Sequence, residues 1–219
     1  MVIQRLTIAS SNLDRLASFY GGLLEMEVIK SSKGICIKAG TSTLEIVAAN
    51  KVTDPFYHFA FNIPSNKIEE AKLWLQSRVD LLWIDDYKSD IAEFVNWHAR
   101  SVYFFDPAGN IVEFIARFDL DNKSEDSFHS GQILSISEVG LVFPVEDLEN
   151  RTGELMEKYQ LPYFDKQPPL PQFKALGDDE GLFIIVSNHR NWYPTQKPSG
   201  IFPMEISFRS GGSEYLLKA

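Results

Sequence analysis

Residues 101–117 read SVYFFDPAGNIVEFIAR, and this stretch has the pattern of a β-hairpin. Aromatic and β-branched residues occupy positions 102–105 and 111–116, which favours two strands. Between them, residues 106–110 combine a proline, which fixes φ, with a glycine and an asparagine, which accept positive φ. The second strand carries one carboxylate, Glu113. An apolar strand tolerates a charge only at an edge, in an ion pair or beside a polar cavity, so Glu113 is a candidate functional residue.

The hairpin belongs to one of three similar segments, which begin near residues 5, 58 and 138. Each begins with a short strand, continues with a helical pattern of apolar residues and ends in further strands, in the order β-α-β-β-β. The helices are predicted through residues 12–26, 66–77 and 145–159. The strands are predicted at residues 5–9, 27–30, 34–38 and 42–48, at 57–63, 102–105 and 111–116 with one more within 81–100, and at 138–143, 173–176, 182–186 and 201–209.

The repeat predicts an α+β protein with helices outside a cup-shaped sheet. Units at residues 1–52 and 53–118 are expected to pair and form the cup. The polar and charged residues 119–133 are predicted to be a linker, and residues 134–219 a third related unit. If the first two units close the cup, the third has no internal partner. We therefore expect it to pair with a second copy of the chain in a homodimer.

The first and last strands of each unit alternate between apolar residues and polar or small ones. Apolar side chains would face the helices, so the other set would line the hollow side of the sheet. Ionisable residues recur at matching positions in this second set: Arg5 and Glu45, His58 and Glu113, and Glu138 and Glu205.

Composition narrows the class of function. The net charge of -9 argues against nucleic acid and against an anionic membrane surface as partners. No apolar run approaches the roughly 18 residues of a spanning helix, and the first residues do not resemble a signal peptide. The lone cysteine, Cys36, has no partner for an internal disulfide, which fits the reducing cytoplasm. We expect a cytoplasmic protein that acts on a small molecule.

Several stretches resemble the vicinal oxygen chelate superfamily, which includes glyoxalase I, bleomycin and fosfomycin resistance proteins and extradiol dioxygenases. The matching stretches are SNL at 11–13, FYGGLLEM at 19–26, HFAF at 58–61, YFFDPAGNIVE at 103–113 and VGLVFPVEDL at 139–148. The resemblance implies paired units that form a cup, with metal ligands on the first and last strands of each unit. Carried over, these positions are Arg5, Glu45, His58 and Glu113.

The resemblance leaves two hypotheses for the site. In one, His58, Glu113 and Glu45 hold Fe(II), Mn(II), Ni(II) or Zn(II), and Glu45 alternatively serves as the general base. In the other, Arg5 replaces the metal and pairs with Glu45 and Glu113, because a guanidinium stays protonated and is not a metal ligand. Both remain open from the sequence.

Other side chains are assigned around this centre. Tyr103 could act as a hydrogen-bond donor or acid, and Trp97 and His98 could line the mouth of the cup. In the third unit, Glu138 and Glu205 lack a histidine, so a structural role is expected for them. A loop is predicted to contain His189, Arg190 and Trp192, so these residues are expected at the surface.

The two hypotheses predict different functions. With a metal, the protein is expected to be a lyase, isomerase or ring-cleaving dioxygenase acting on a small oxygenated metabolite. Without one, it is expected to bind and sequester a small molecule, as bleomycin resistance proteins do.

Overall fold

The computed structural model describes residues 1–49 and 55–219 of the chain. The boundary predicted between residues 52 and 53 lies outside the described residues. No helix of the described part is both long enough and apolar enough to cross a membrane.

The first unit has the predicted order of elements. Its elements are β1 (Val2–Ser10), α1 (Leu13–Ala17) continued by π-helical turns (Ser18–Leu23), β2 (Val28–Lys30), β3 (Gly34–Ala39) and β4 (Ser42–Ala48). The second unit follows the same order. Its elements are β5 (His58–Ile63), α2 (Ile68–Gln76), β6 (Ala92–Phe94), β7 (Ala99–Phe105) and β8 (Ile111–Arg117).

The third unit is shorter than predicted. A short 3-10 turn (Ser130–Gln132) leads into β9 (Ser135–Phe143), α3 (Leu148–Tyr159), β10 (Phe173–Asp178) and β11 (Gly181–Ser187). The proline-rich residues 160–172 contain no strand. The last predicted strand is instead part of a separate hairpin, β12 (Glu205–Ser210) and β13 (Ser213–Lys218), and β12 pairs with β1 of the first unit.

The strands form one sheet in which the second unit pairs with the third. The order along its main path is β2-β3-β4-β1-β9-β5-β8-β7-β6. Strands β5 and β9 run antiparallel over four registered residue pairs, whereas β1 touches β9 at a single pair. The expectation that the first and second units pair to form the cup is corrected accordingly. The third unit thus pairs with the second within the same chain. The homodimer was expected because the third unit lacked such a partner, so that reason no longer applies, and the oligomeric state stays a prediction.

The alternation of the first and last strands places the core as expected. The apolar residues of these strands are fully buried on the helix side of the sheet: Leu6, Ile8, Leu44, Ile46, Phe59, Phe61, Val112 and Phe114. Burial of this apolar surface is the main force that holds the helices against the sheet.

The turn of the 101–117 hairpin is held by its own polar side chains. Asp106 accepts hydrogen bonds from the backbone N–H of Asn110 (3.0 Å) and from the hydroxyl of Tyr20 (2.9 Å), and the Asn110 side chain accepts one from the N–H of Tyr57 (2.8 Å). Gly109 has φ +77°, a conformation that favours glycine. The turn therefore ties the second unit to the first helix, and its residues serve the fold.

The aromatic cluster beneath this hairpin is expected to carry much of its stability. Phe114 packs edge-to-face on Phe61 and Phe104, at ring-centroid distances of 6.0 and 5.4 Å. We expect Phe114→Ala to lower the free energy of unfolding by about 3–5 kcal/mol because it leaves a cavity among rings. Phe105→Ala, in the same hairpin but with the ring 40% exposed, should cost far less. Urea denaturation measures both, and equal losses would contradict this account of the core.

Candidate active site

Three ionisable side chains converge on the polar face of the sheet. One ligand atom from each of His58, Glu113 and Glu138 lies within 4.8 Å of the others, and all three residues are buried. Their strands are neighbours: Ala60 is in register with Glu113 on β8 and with Glu138 on β9. Residues in register share a face of the sheet, so the small side chain of Ala60 lies between the two carboxylates.

The imidazole of His58 is held in one orientation. Its Nδ1 lies 3.1 Å from the carbonyl oxygen of Ile111, an acceptor only, so Nδ1 carries the hydrogen. Nε2 is then unprotonated and lies 3.6 Å from Oε2 of Glu113. Burial lowers the pKa of His58 to about 4, which keeps the ring neutral at ordinary pH. A neutral imidazole whose other nitrogen bonds a carbonyl is the usual form of a histidine ligand.

The two carboxylates differ in their electrostatic surroundings. Burial, and then the charge of Glu138, raise the pKa of Glu113 to about 8, so Glu113 is mainly protonated at neutral pH when no cation is present. The pKa of Glu138 is also raised, because burial raises it more than the opposite charge of Arg117 lowers it. Arg117 is fully buried, and its guanidinium contacts Glu138 directly. That contact compensates a negative charge on Glu138.

A cavity of about 270 Å³ opens over the three residues. Aromatic side chains form a large part of its wall: Phe94, Trp97, Tyr103, Phe173, Trp192 and Tyr193. The ring of Trp192 lies 5.0 Å from that of His58, and it packs over Gly140, where a Cβ would approach the indole to 2.5 Å. Gly140 thus leaves the space that Trp192 needs to form a wall. The expectation that Trp192 lies at the surface is wrong, because the ring is buried in this wall.

The third unit places an apolar residue where the second places Glu113. In the second unit, Glu113 is in register with Ala60, which comes two residues after His58. In the third unit, Ile184 on β11 is in register with Gly140, which comes two residues after Glu138. Ile184 lines the cavity but offers no ligand atom. Three donors and one apolar position therefore surround the centre.

The first unit repeats this register without forming the same site. Glu45 on β4 and Glu205 on β12 are both in register with Thr7, two residues after Arg5. There, Arg5 pairs with Glu45 at 3.3 Å, and its side chain is 51% exposed. Neither residue lines the aromatic cavity that contains Glu113. The structure thus places Arg5 and Glu45 apart from that cavity. The predicted pairing of Arg5 with Glu45 is present, but the predicted pairing of Arg5 with Glu113 is not, and the predicted grouping of Glu45 with His58 and Glu113 is replaced by one with Glu138.

The other predicted residues fall into two groups. Tyr103 and Trp97 line the cavity, and Tyr103 lies opposite Glu113 on the neighbouring strand. Burial, followed by the charge of Glu113, raises the pKa of Tyr103 well above its usual value. His98 is not part of the lining: its ring bonds Asp119 at 2.7 Å, and its side chain is 60% exposed.

Glu138 was expected to have a structural role, whereas the structure brings it to the centre. Its signal was present in the sequence, because Glu138 occupies the position in the third unit that His58 occupies in the second. The buried partner Arg117 and the loop residues Trp192 and Tyr193 gave no such signal.

Solved structures of other proteins have a similar fold. A Bacillus subtilis protein proposed to be a dioxygenase aligns with a TM-score of 0.60 and 14% identity, covering 91% of this chain and 65% of that protein. A mutant glyoxalase I from Zea mays aligns with a TM-score of 0.57 and 14% identity, covering 90% of this chain and 70% of the maize chain. The fold is that of the vicinal oxygen chelate superfamily. The fold that the resemblance of residues 103–113 and their companions implies is thereby confirmed.

No protein-family model matches the sequence, and no curated protein matches it significantly. This chain spans just under two thirds of the Bacillus protein. At such identities the vicinal oxygen chelate fold is what the comparison shows. The chemistry has to be argued from the residues of the site.

The raised pKa of Glu113 predicts a pH-dependent stability for the metal-free protein. Between pH 4.5, the ordinary value, and about 8, the folded state keeps a proton that the unfolded state has lost, so stability falls as the pH rises. The slope within this window is about 1.4 kcal/mol per pH unit for one such group. The Glu113→Gln variant has no ionisable group at this position, so its stability should lack this fall with rising pH. The lowered pKa of His58 makes the stability rise with pH between about pH 4 and 6.5. This contribution is present in the wild type and in the variant, so it does not affect the difference between them.

The measurement is urea denaturation of both proteins at pH 5, 6, 7 and 8 in the presence of a chelator. The stability of the variant relative to the wild type should increase steadily with pH. Parallel curves would show that Glu113 does not retain a proton in the folded state.

Proposed function

We propose that this chain is an enzyme that binds one divalent metal ion through His58, Glu113 and Glu138 and acts on a small oxygenated metabolite. The observation that carries the proposal is the convergence of the three buried side chains, within 4.8 Å, at an aromatic cavity. One imidazole nitrogen and two carboxylate oxygens suit Fe(II), Mn(II), Ni(II) or Zn(II).

The donor set fits a catalytic metal better than a structural one. His58 presents an unprotonated Nε2, and its other nitrogen is fixed by the carbonyl of Ile111. Ile184 takes a fourth position without supplying a donor, which leaves room for water and substrate. Structural zinc sites are closed by four protein ligands, whereas catalytic sites keep an open position.

A divalent ion would act here as a Lewis acid on a substrate that offers two neighbouring oxygens. Reactions that fit are those of a lyase, an isomerase or a ring-cleaving dioxygenase. The structural neighbours, a glyoxalase I and a protein proposed to be a dioxygenase, support this range.

The chain's own residues have distinct roles in this proposal. Glu113 would release its proton when an ion binds, so ion affinity should fall as the pH drops below about 8. Tyr103, kept neutral by its raised pKa, would donate its hydroxyl proton in a hydrogen bond to a substrate oxygen. Trp97 and Trp192 would hold an apolar substrate body and exclude water from the centre.

The first test is metal binding by the purified, chelator-treated protein. Isothermal titration with Fe(II), Mn(II), Ni(II) and Zn(II) should find one site per chain for at least one of them. His58→Ala, Glu113→Gln and Glu138→Gln should each weaken that affinity by about 100-fold or more, because each removes a direct ligand.

The chain offers matched controls for this experiment. Glu45→Gln and Glu205→Gln change the two carboxylates that have the same register in the first unit, and they should leave the affinity unchanged. Failure of all four ions to bind, or an equal loss in the control variants, would overturn the proposed metal site. Turnover assays with catechols and with hemithioacetals then decide between ring cleavage and lyase or isomerase chemistry.

A further inference from the structure

One cation lines the aromatic cavity among the described residues, and it has no acidic partner there. Arg190 lies half-buried in the wall, with its guanidinium 5.1 Å from the ring centroid of Phe173. Its one side-chain hydrogen bond within the described part runs from Nη1 to the carbonyl of Asn191, at 3.3 Å. An arginine has five N–H donors and stays charged, so most of its donors remain available to a ligand.

The neighbouring cations are committed to acidic side chains. Arg117 contacts Glu138 and also lies 3.4 Å from Asp179. Lys166 pairs with Asp119 at 2.7 Å and also contacts Asp179. Arg190 differs from both because, within residues 1–49 and 55–219, it contacts an aromatic ring and a carbonyl and no carboxylate.

The backbone holds Arg190 in place. The carbonyl of Arg190 accepts a hydrogen bond from the N–H of Ser199 at 2.8 Å, and the N–H of His189 donates to the carbonyl of Ser199 at 3.1 Å. This pairing closes the loop between β11 and β12, which also carries Trp192 and Tyr193 into the cavity. The cation is therefore presented by the same ordered loop that forms part of the aromatic wall.

We propose that Arg190 binds the anionic group of the substrate, and that the substrate is an aromatic carboxylate with two neighbouring oxygens at its other end. The planar guanidinium matches a carboxylate in two parallel hydrogen bonds. Phe173 and Trp192 offer flat surfaces to a ring, and the cavity of about 270 Å³ suits a single-ring molecule. This inference rests on the proposed function for the binding of the oxygen pair and names the class of substrate.

Two probes of the same shape test the role of the charge. Protocatechuate has a catechol oxygen pair and a carboxylate, and its amide has the same shape without the charge. Titration calorimetry with the Zn(II)-loaded wild type should show protocatechuate binding at least about tenfold more tightly than the amide. Arg190→Gln should abolish this preference while changing the affinity for the amide by no more than about twofold.

A second arginine on a phenylalanine ring provides the control. Arg151 lies 5.3 Å from the ring centroid of Phe143, pairs with Glu154 at 2.7 Å and does not line this cavity. Arg151→Gln alters the net charge equally and should keep the preference for the carboxylate. Arg190→Lys keeps the charge without the planar fork, should retain part of the preference, and covers the case in which the glutamine variant does not fold.

The same titrations on metal-free protein separate this inference from the proposed metal site. If none of the four ions binds the wild type, the metal site fails, while a carboxylate preference that is lost in Arg190→Gln still supports the role of Arg190. If Zn(II) binds the wild type and Arg190→Gln equally, but the variant keeps the preference, the role of Arg190 is overturned. Absence of binding by both probes in both forms overturns it as well.

Discussion

Pairing of β5 with β9 is the constraint on which the site depends. It brings two units that are separate in the sequence into one sheet, and it sets Ala60 in register with Glu138 while β8 sets the same residue in register with Glu113. A shift of one residue in either pairing would turn the corresponding carboxylate to the helix side of the sheet. The geometry of the centre is thus a property of strand register, and loops contribute only the walls above it.

Placing three ionisable groups in a buried site has an electrostatic cost that the structure limits in three ways. His58 remains neutral because burial lowers its pKa, and Glu113 remains protonated because burial raises its pKa. Glu138 is compensated by the buried guanidinium of Arg117. Together with Arg117, these side chains are therefore close to neutral when no cation is present. In the proposed metal-bound state, a cation would displace the proton of Glu113 and offset the negative charge that remains.

The first unit repeats the register of the central site without repeating its set of donor residues. Around Thr7 the first unit repeats the register found around Ala60, with Glu45 and Glu205 in place of the two central carboxylates. Arg5 stands in the position of the histidine, half exposed and paired with Glu45. A guanidinium cannot donate electrons to a metal, so Arg5 forms an ion pair at the position where a histidine would offer a ligand atom. Function in this fold therefore depends on the individual residues of each site.

Local signals in the sequence determined the strands, the helices, the 101–117 hairpin and the face on which each side chain lies. They depend on period-2 and period-3.6 alternation and on turn residues such as Gly109, which act over a few positions. His58 and Glu113 could be named together because they lie within one unit. The partner of that unit was decided only by the tertiary structure. Three units with similar sequence patterns can pair in several ways, and the local pattern does not distinguish between these pairings. Glu138, Arg117 and the wall residue Trp192 reach the centre through contacts between strands and loops distant in sequence, and alternation within a strand carries no information on such contacts.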